Sequence, residues 1–245
     1  AGECRRGAAE LACQAAGRPL SLAPRSASES GHRSHRLRPT HRMKTLLAAF
    51  LALVTAAWGW DLAVTASPPG VAMPWLLRQQ ALTLSGLLSI ALMSLTMMLA
   101  TRPAWLERPL GGMDRIYRLH KWAGILAVGL AATHWLIEMS DDILKAVVGR
   151  AGRVPDDRYA GFLEVLRKLG EDMGEWAIYA VLAMLVLTLW KRFPYRFWRW
   201  LHQAMPVLYL MLAFHAALLA PPVWWTRPVG LLMALLLAGG AVGSV

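Results

Sequence analysis

The chain has 245 residues, is 56% hydrophobic and carries a formal net charge of +11. So apolar a composition excludes an ordinary soluble domain. Both cysteines, Cys4 and Cys13, lie near the N-terminus, which excludes disulfides and thiolate metal sites from everything after residue 42.

Residues 1–42 are rich in arginine and have no hydrophobic period, so a disordered arm is expected there. The first methionine, Met43, opens MKTLLAAFLALVTAAW, a basic residue followed by an apolar run without a clean small-residue cleavage site. A retained first span is therefore expected rather than a signal peptide, with Met43 the natural start and the arm an upstream artefact. Apolar runs follow near 44–66, 79–100, 117–139, 175–190, 197–219 and 228–245. Each reaches or approaches the ~20 residues a helix needs to cross hydrocarbon, and lipid cannot satisfy the open backbone groups of any other single segment. The predicted fold class is an all-α membrane protein, a six-transmembrane-helix bundle over residues 43–245.

The loop between the second and third spans holds Arg102, Arg108, Arg115, Arg118 and Lys121. The loop between the fourth and fifth holds Lys191, Arg192, Arg196 and Arg199. Basic residues gathered in short loops set topology, and they argue against a nucleic-acid partner. Both loops are expected in the cytoplasm, as is the start of the first span at Lys44. The 141–175 connection, with Asp141, Asp142, Asp156, Asp157, Glu171, Asp172 and Glu175, is expected outside. The expected location is the cell (inner) membrane, multi-pass, with both termini cytoplasmic. Within the outer connection, YAGFLEVLRKLGEDMGEW has apolar residues at helical spacing and predicts a short amphipathic helix on the outer surface. Most of the twelve tryptophans fall near span ends, as an interfacial belt requires.

Seven histidines are present: His32, His35 and His41 in the arm, then His120, His134, His202 and His215, confined to the third and fifth spans. An ionisable side chain inside a span is costly and is a functional candidate by default. His120 and His134 are fourteen residues apart and His202 and His215 thirteen, which at helical rise gives separations of roughly 21 and 20 Å. Both spans run outward, so His120 pairs with His202 near the cytoplasmic face and His134 with His215 near the outer face. Two imidazoles can grip a haem iron from opposite sides, whereas two ligands without a carboxylate or cysteine are too few for zinc. Thirteen steps of an ideal helix leave His215 about 140° from His202. The fifth span must deviate, and Pro206 supplies the expected kink.

The segments ERPLGGMDRIYRLHKWAGILAVGLAATHWLIE and KRFPYRFWRWLHQAMPVLYLMLAFHAALL resemble the ferric reductase-like transmembrane domain shared by bacterial predicted ferric reductases and NADPH oxidases. The resemblance covers nearly all of Met43 to Val245. It implies two stacked b-type haems ligated by His120, His134, His202 and His215, and electron transfer from NAD(P)H through FAD to an external acceptor such as ferric iron or oxygen. FAD and NAD(P)H are expected on a cytosolic flavin and nicotinamide domain, in cis on a longer polypeptide or in trans, because no GxGxxG phosphate loop occurs in this sequence.

Arg118 and Arg199 precede the inner ligands and are the candidate partners of the inner haem's propionates. Arg78 is a candidate for the outer propionates or the acceptor, against the plainer reading of an interfacial snorkelling arginine. Glu138, one turn past His134, stands where the oxidases tend to place a histidine, which argues against oxygen as acceptor. Two rival readings remain. One is a standalone haem b electron-carrier subunit, fed by quinol or a separate flavin reductase and reducing a periplasmic partner. The other is a transporter or structural bundle with no haem.

Overall fold

A computed structural model of the chain describes residues 39–66, 69–102, 104–155, 160–190 and 192–244, all within one compact unit, Leu37–Val245. The expectation of disorder for residues 1–38 lies outside the described residues. The described elements are helical: α1 (Pro39–Val64), α2 (Met73–Ala100), α3 (Ala104–Leu110), α4 (Met113–Met139), α5 (Asp141–Val148), α6 (Phe162–Leu189), α7 (Tyr195–His202), α8 (Met205–Leu219), a 3₁₀ turn (Pro222–Thr226) and α9 (Pro228–Val242). Five segments are long and apolar enough to cross a membrane, α9 being a shorter apolar helix. The protein is therefore a multi-pass membrane protein with an all-helical bundle.

Several boundaries differ from the sequence reading, α2 beginning at Met73 and α4 at Met113, each some residues earlier than expected. α1 begins at Pro39, because proline fits a helix's first turn and the residues between it and Met43 contain no breaker. The amphipathic helix expected on the outer surface is instead the first part of α6, which runs unbroken from Phe162 into the fourth span. Gly170 and Gly174 do not interrupt it, because each is needed small where α8 packs close. The sixth span starts at Pro228 as expected, just after the 3₁₀ turn, and its helix ends at Val242, fifteen residues on.

α2 is the hub: most of its apolar stretch is buried, and it packs on α4, α9, α8 and α1. The α2–α4 seam is antiparallel and in register. Going down α2 through Thr96, Ser89, Leu82 and Arg78, the partners climb α4 in equal steps through His120, Ala127, His134 and Glu138. Ser89 Oγ donates to Ala127 O at 3.0 Å. Ala123 and Ala127, both fully buried, keep the backbones close enough for such bonds. The main core joins Ile90, Leu92, Met93 and Met97 of α2 to Ala123, Ala127 and Val128 of α4, with Val181 of α6 and Tyr209 of α8.

Two polar clamps hold the remaining helices. Tyr209 is wholly buried, donates to Leu237 O of α9 at 3.0 Å and lies 3.0 Å from Ser94 Oγ of α2. At the opposite end Asp61 of α1, itself buried, accepts from Trp224 Nε1 at 2.9 Å and from Arg227 Nη1 at 2.7 Å, fastening α1 to the turn before α9. Tyr209→Phe should cost about 1 kcal/mol, as for other hydrogen bonds between membrane helices. Asp61→Ala should cost about 2 kcal/mol or more, since it strands a half-buried guanidinium. Thermal unfolding of the detergent-solubilised protein, with Asp61→Ala melting below Tyr209→Phe, checks the order.

Candidate functional site

The four histidines of the spans meet as two pairs. The His120 and His202 ring centroids are 6.2 Å apart with planes at 78°, and those of His134 and His215 are 6.4 Å apart at 89°. These are the pairs expected from sequence. The phase problem in the fifth span is solved by a break: α7 stops at His202, Gln203 and Ala204 tighten into three-residue hydrogen bonding, and α8 restarts at Met205 with Pro206 in its first turn. A tighter turn adds rotation per residue, so His215 swings toward the face of His202.

α4 rests chiefly on α2 and α8 chiefly on α6, while among the described residues α4 and α8 do not pack closely on one another. The histidines face across that separation. Three of them are braced from behind. The Nδ1 of His120 lies 3.0 Å from Thr96 O, that of His134 2.9 Å from Leu82 O, and that of His215 2.9 Å from Gly170 O. A carbonyl can only accept, so Nδ1 carries the proton in each bond and Nε2 is left with its lone pair. This back-side bond to a carbonyl is the arrangement that orients a metal-ligating histidine and raises its basicity.

The pair His134 and His215 is seated on glycines. A Cβ on Gly86 of α2 would lie 2.9 Å from both Cε1 and Nδ1 of His134, and one on Gly174 of α6 would run into the His215 ring. The sequence reading missed these seats. Gly170 and Gly174, spaced as small-xxx-small in GEDMG, were the available signal. It also missed Asp61, a charged residue within the first span.

Arg118 is exposed on α4 just before His120, and Arg199 lines a surface groove of about 370 Å³ with Tyr195, Arg196, Trp200 and Gln203. Neither takes part in an ion pair among the described residues. Arg78 is paired within the fold. Its Nη2 donates to Glu138 O at 2.9 Å and Oε2 at 3.1 Å, and its Nη1 is 3.7 Å from Asp141. That pairing also occupies Glu138, the residue that stands one turn past His134. Trp135 packs edge-on against Tyr179 of α6, at 6.0 Å between centroids.

Among known families, the model of the ferric reductase like transmembrane component matches residues 85–213. The chain belongs to that family. The match contains His120, His134 and His202 and Thr96, whose carbonyl backs His120; it begins just after Leu82, which backs His134, and ends just short of His215. No curated protein matches the chain. Membership in a ferric reductase-like family carries oxidoreductase function in general and transmembrane electron transfer as its setting.

Haem, which this family commonly binds, can be tested against the residues. Two imidazoles bound end-on to one metal at about 2 Å each hold their centroids about 6 Å apart, the spacing found in both pairs. No described group of three or more His, Cys, Asp or Glu side chains could hold a bare ion, so a metal here must bring its other ligands with it. A planar tetrapyrrole does so, and the residues fit it. Gly174→Ala should displace the His215 ring and cost about 1–3 kcal/mol by overpacking. Gly59→Ala, where a Cβ meets nothing within 4 Å, should be neutral or slightly stabilising. Melting temperatures of the two variants in one detergent check the contrast.

Proposed function

We propose that the chain moves electrons across the cell membrane through two b-type haems, each held between one histidine of α4 and one of the α7–α8 segment. Electrons come from NAD(P)H and FAD on a cytosolic module, and pass to an external acceptor such as ferric iron or oxygen. The observation that carries this reading is the pair of histidine couples at two depths, each with ring spacing suited to one iron between them.

A haem held at either couple supplies reversible one-electron chemistry at its iron. The chain's own residues do the rest. His120 and His202 would hold the group nearer the arginine-rich loops, and His134 and His215 the group nearer α5. Thr96 O, Leu82 O and Gly170 O fix three of the rings with Nε2 forward. The apolar walls of α2, α4, α6 and α8 keep water from the path. Arg118 and Arg199, on the side facing the cytoplasm under the positive-inside rule, are available to inner propionates, and both termini lie on that side. No proton donor is required of these helices, since electron transfer between bis-histidine sites leaves every ligand in place.

Membranes carrying the chain should show a reduced-minus-oxidised difference spectrum of b type. His134→Ala or His120→Ala should remove about half of it and the double variant all of it. Membranes without haem absorbance would sink the proposal and favour a bundle with no redox role.

A further inference from the structure

Three of the four histidines have their Nδ1 bonded to a backbone carbonyl of a neighbouring helix; His202 has no hydrogen bond among the described residues. Its ring lies flat on the indole of Trp198, centroids 4.8 Å apart and planes 15° from parallel. Trp198 is held in turn. Its Nε1 donates to Thr188 Oγ1 at 2.8 Å, and that hydroxyl donates to Met184 O at 2.6 Å, inside the last turn of α6. On the indole's side toward the start of α7, Tyr195 stacks at 5.7 Å and 23°. The ring column Tyr195, Trp198, His202 thus runs along α7 and is pinned at its centre to another helix.

The reason lies in the chain path. His120, His134 and His215 sit within long helices whose neighbours offer carbonyls at the same depth. His202 is the last residue of an eight-residue helix, just before the break at Gln203 and Ala204, and its backbone alone sets its ring poorly. Offset stacking of aromatic rings is worth about 0.5–1.5 kcal/mol beyond buried area, enough to select one rotamer.

We propose that Trp198 is the positioning residue of the fourth ligand: its indole, fixed by Thr188, performs for His202 the orienting task that backbone carbonyls perform for the other three. The proposal rests on the haem reading above. It makes the two sites chemically unequal. The couple His134 and His215 has two ligands made more basic by a carbonyl, and the couple His120 and His202 has one. Loss of the brace should therefore be felt at one site only.

The test uses the full chain, purified and reconstituted in lipid nanodiscs with haem. Two readouts are followed: the low-spin ferric resonances with their redox titration, and the rate of haem loss to apomyoglobin. In Trp198→Leu one low-spin component should be lost or shifted and one haem should leave about 10-fold faster or more, the usual scale for removing an orienting partner. The other component should be unchanged, which reports that the fold survives. Trp198→Phe, which can still stack, should restore most of the lost signal. Thr188→Val, which removes the indole's acceptor and leaves the stacking rings in place, should shift the same component by less. Two unaltered components and unaltered haem loss in both Trp198→Leu and Thr188→Val would overturn the proposal. A wild-type protein that takes up no haem would instead defeat the functional reading beneath it.

Discussion

A ring nitrogen of an imidazole inside a lipid-facing bundle is costly without a partner, because hydrocarbon offers none, and three of the four rings find one on a neighbouring helix. Much of the described architecture follows from that requirement. His120 and His134 hand their Nδ1 protons to carbonyls of α2, and His215 hands its own to α6. Each bond demands that a neighbouring helix come close enough for a side chain to reach main chain. The α2–α4 seam is therefore lined with Gly86, Ala123 and Ala127, the α6–α8 contact with Gly170 and Gly174, and α2 sits at the centre of the bundle. The second nitrogen is left facing the opposite ring.

The remaining polar groups of the spans serve the same geometry from further away. Arg78 with Glu138 continues the α2–α4 register one turn beyond His134, so the ion pair and the His134–Leu82 bond fix the same two helices at successive turns. Asp61 with Arg227 and Trp224 closes one end of the α1–α9 contact, and Tyr209 ties α8 to α9 and α2 near its middle. Helices with no hydrophobic drive to associate in lipid rely on such contacts. The division of labour is clear: α2 and α6 act as supports, while α4 and the α7–α8 segment carry the histidines.

Much of this was legible in the sequence because the signals were long or discrete. Apolar runs of span length gave the helices, and four histidines at matched spacing gave the pairs. The awkward thirteen-residue interval even required the break that the chain makes beside Pro206. What could not be read depends on partners distant in sequence. Nothing local says that Gly174 lies under His215, that Arg78 belongs to Glu138, or that Trp198 lies flat on His202. The surface helix expected before the fourth span failed for a related reason. Its apolar residues at helical spacing suggested a separate amphipathic helix, but no proline there breaks the helix, and packing on α8 keeps it continuous with the span.

The central claim is that each histidine couple holds one haem. The most direct measurement is the haem and iron content of the purified protein per chain, by pyridine haemochrome and metal analysis, in wild type and in His120→Ala/His134→Ala. The account predicts two b-type haems and two irons per chain in the wild type and none in the double variant. A wild type without haem, or a double variant that keeps its full complement, would contradict it.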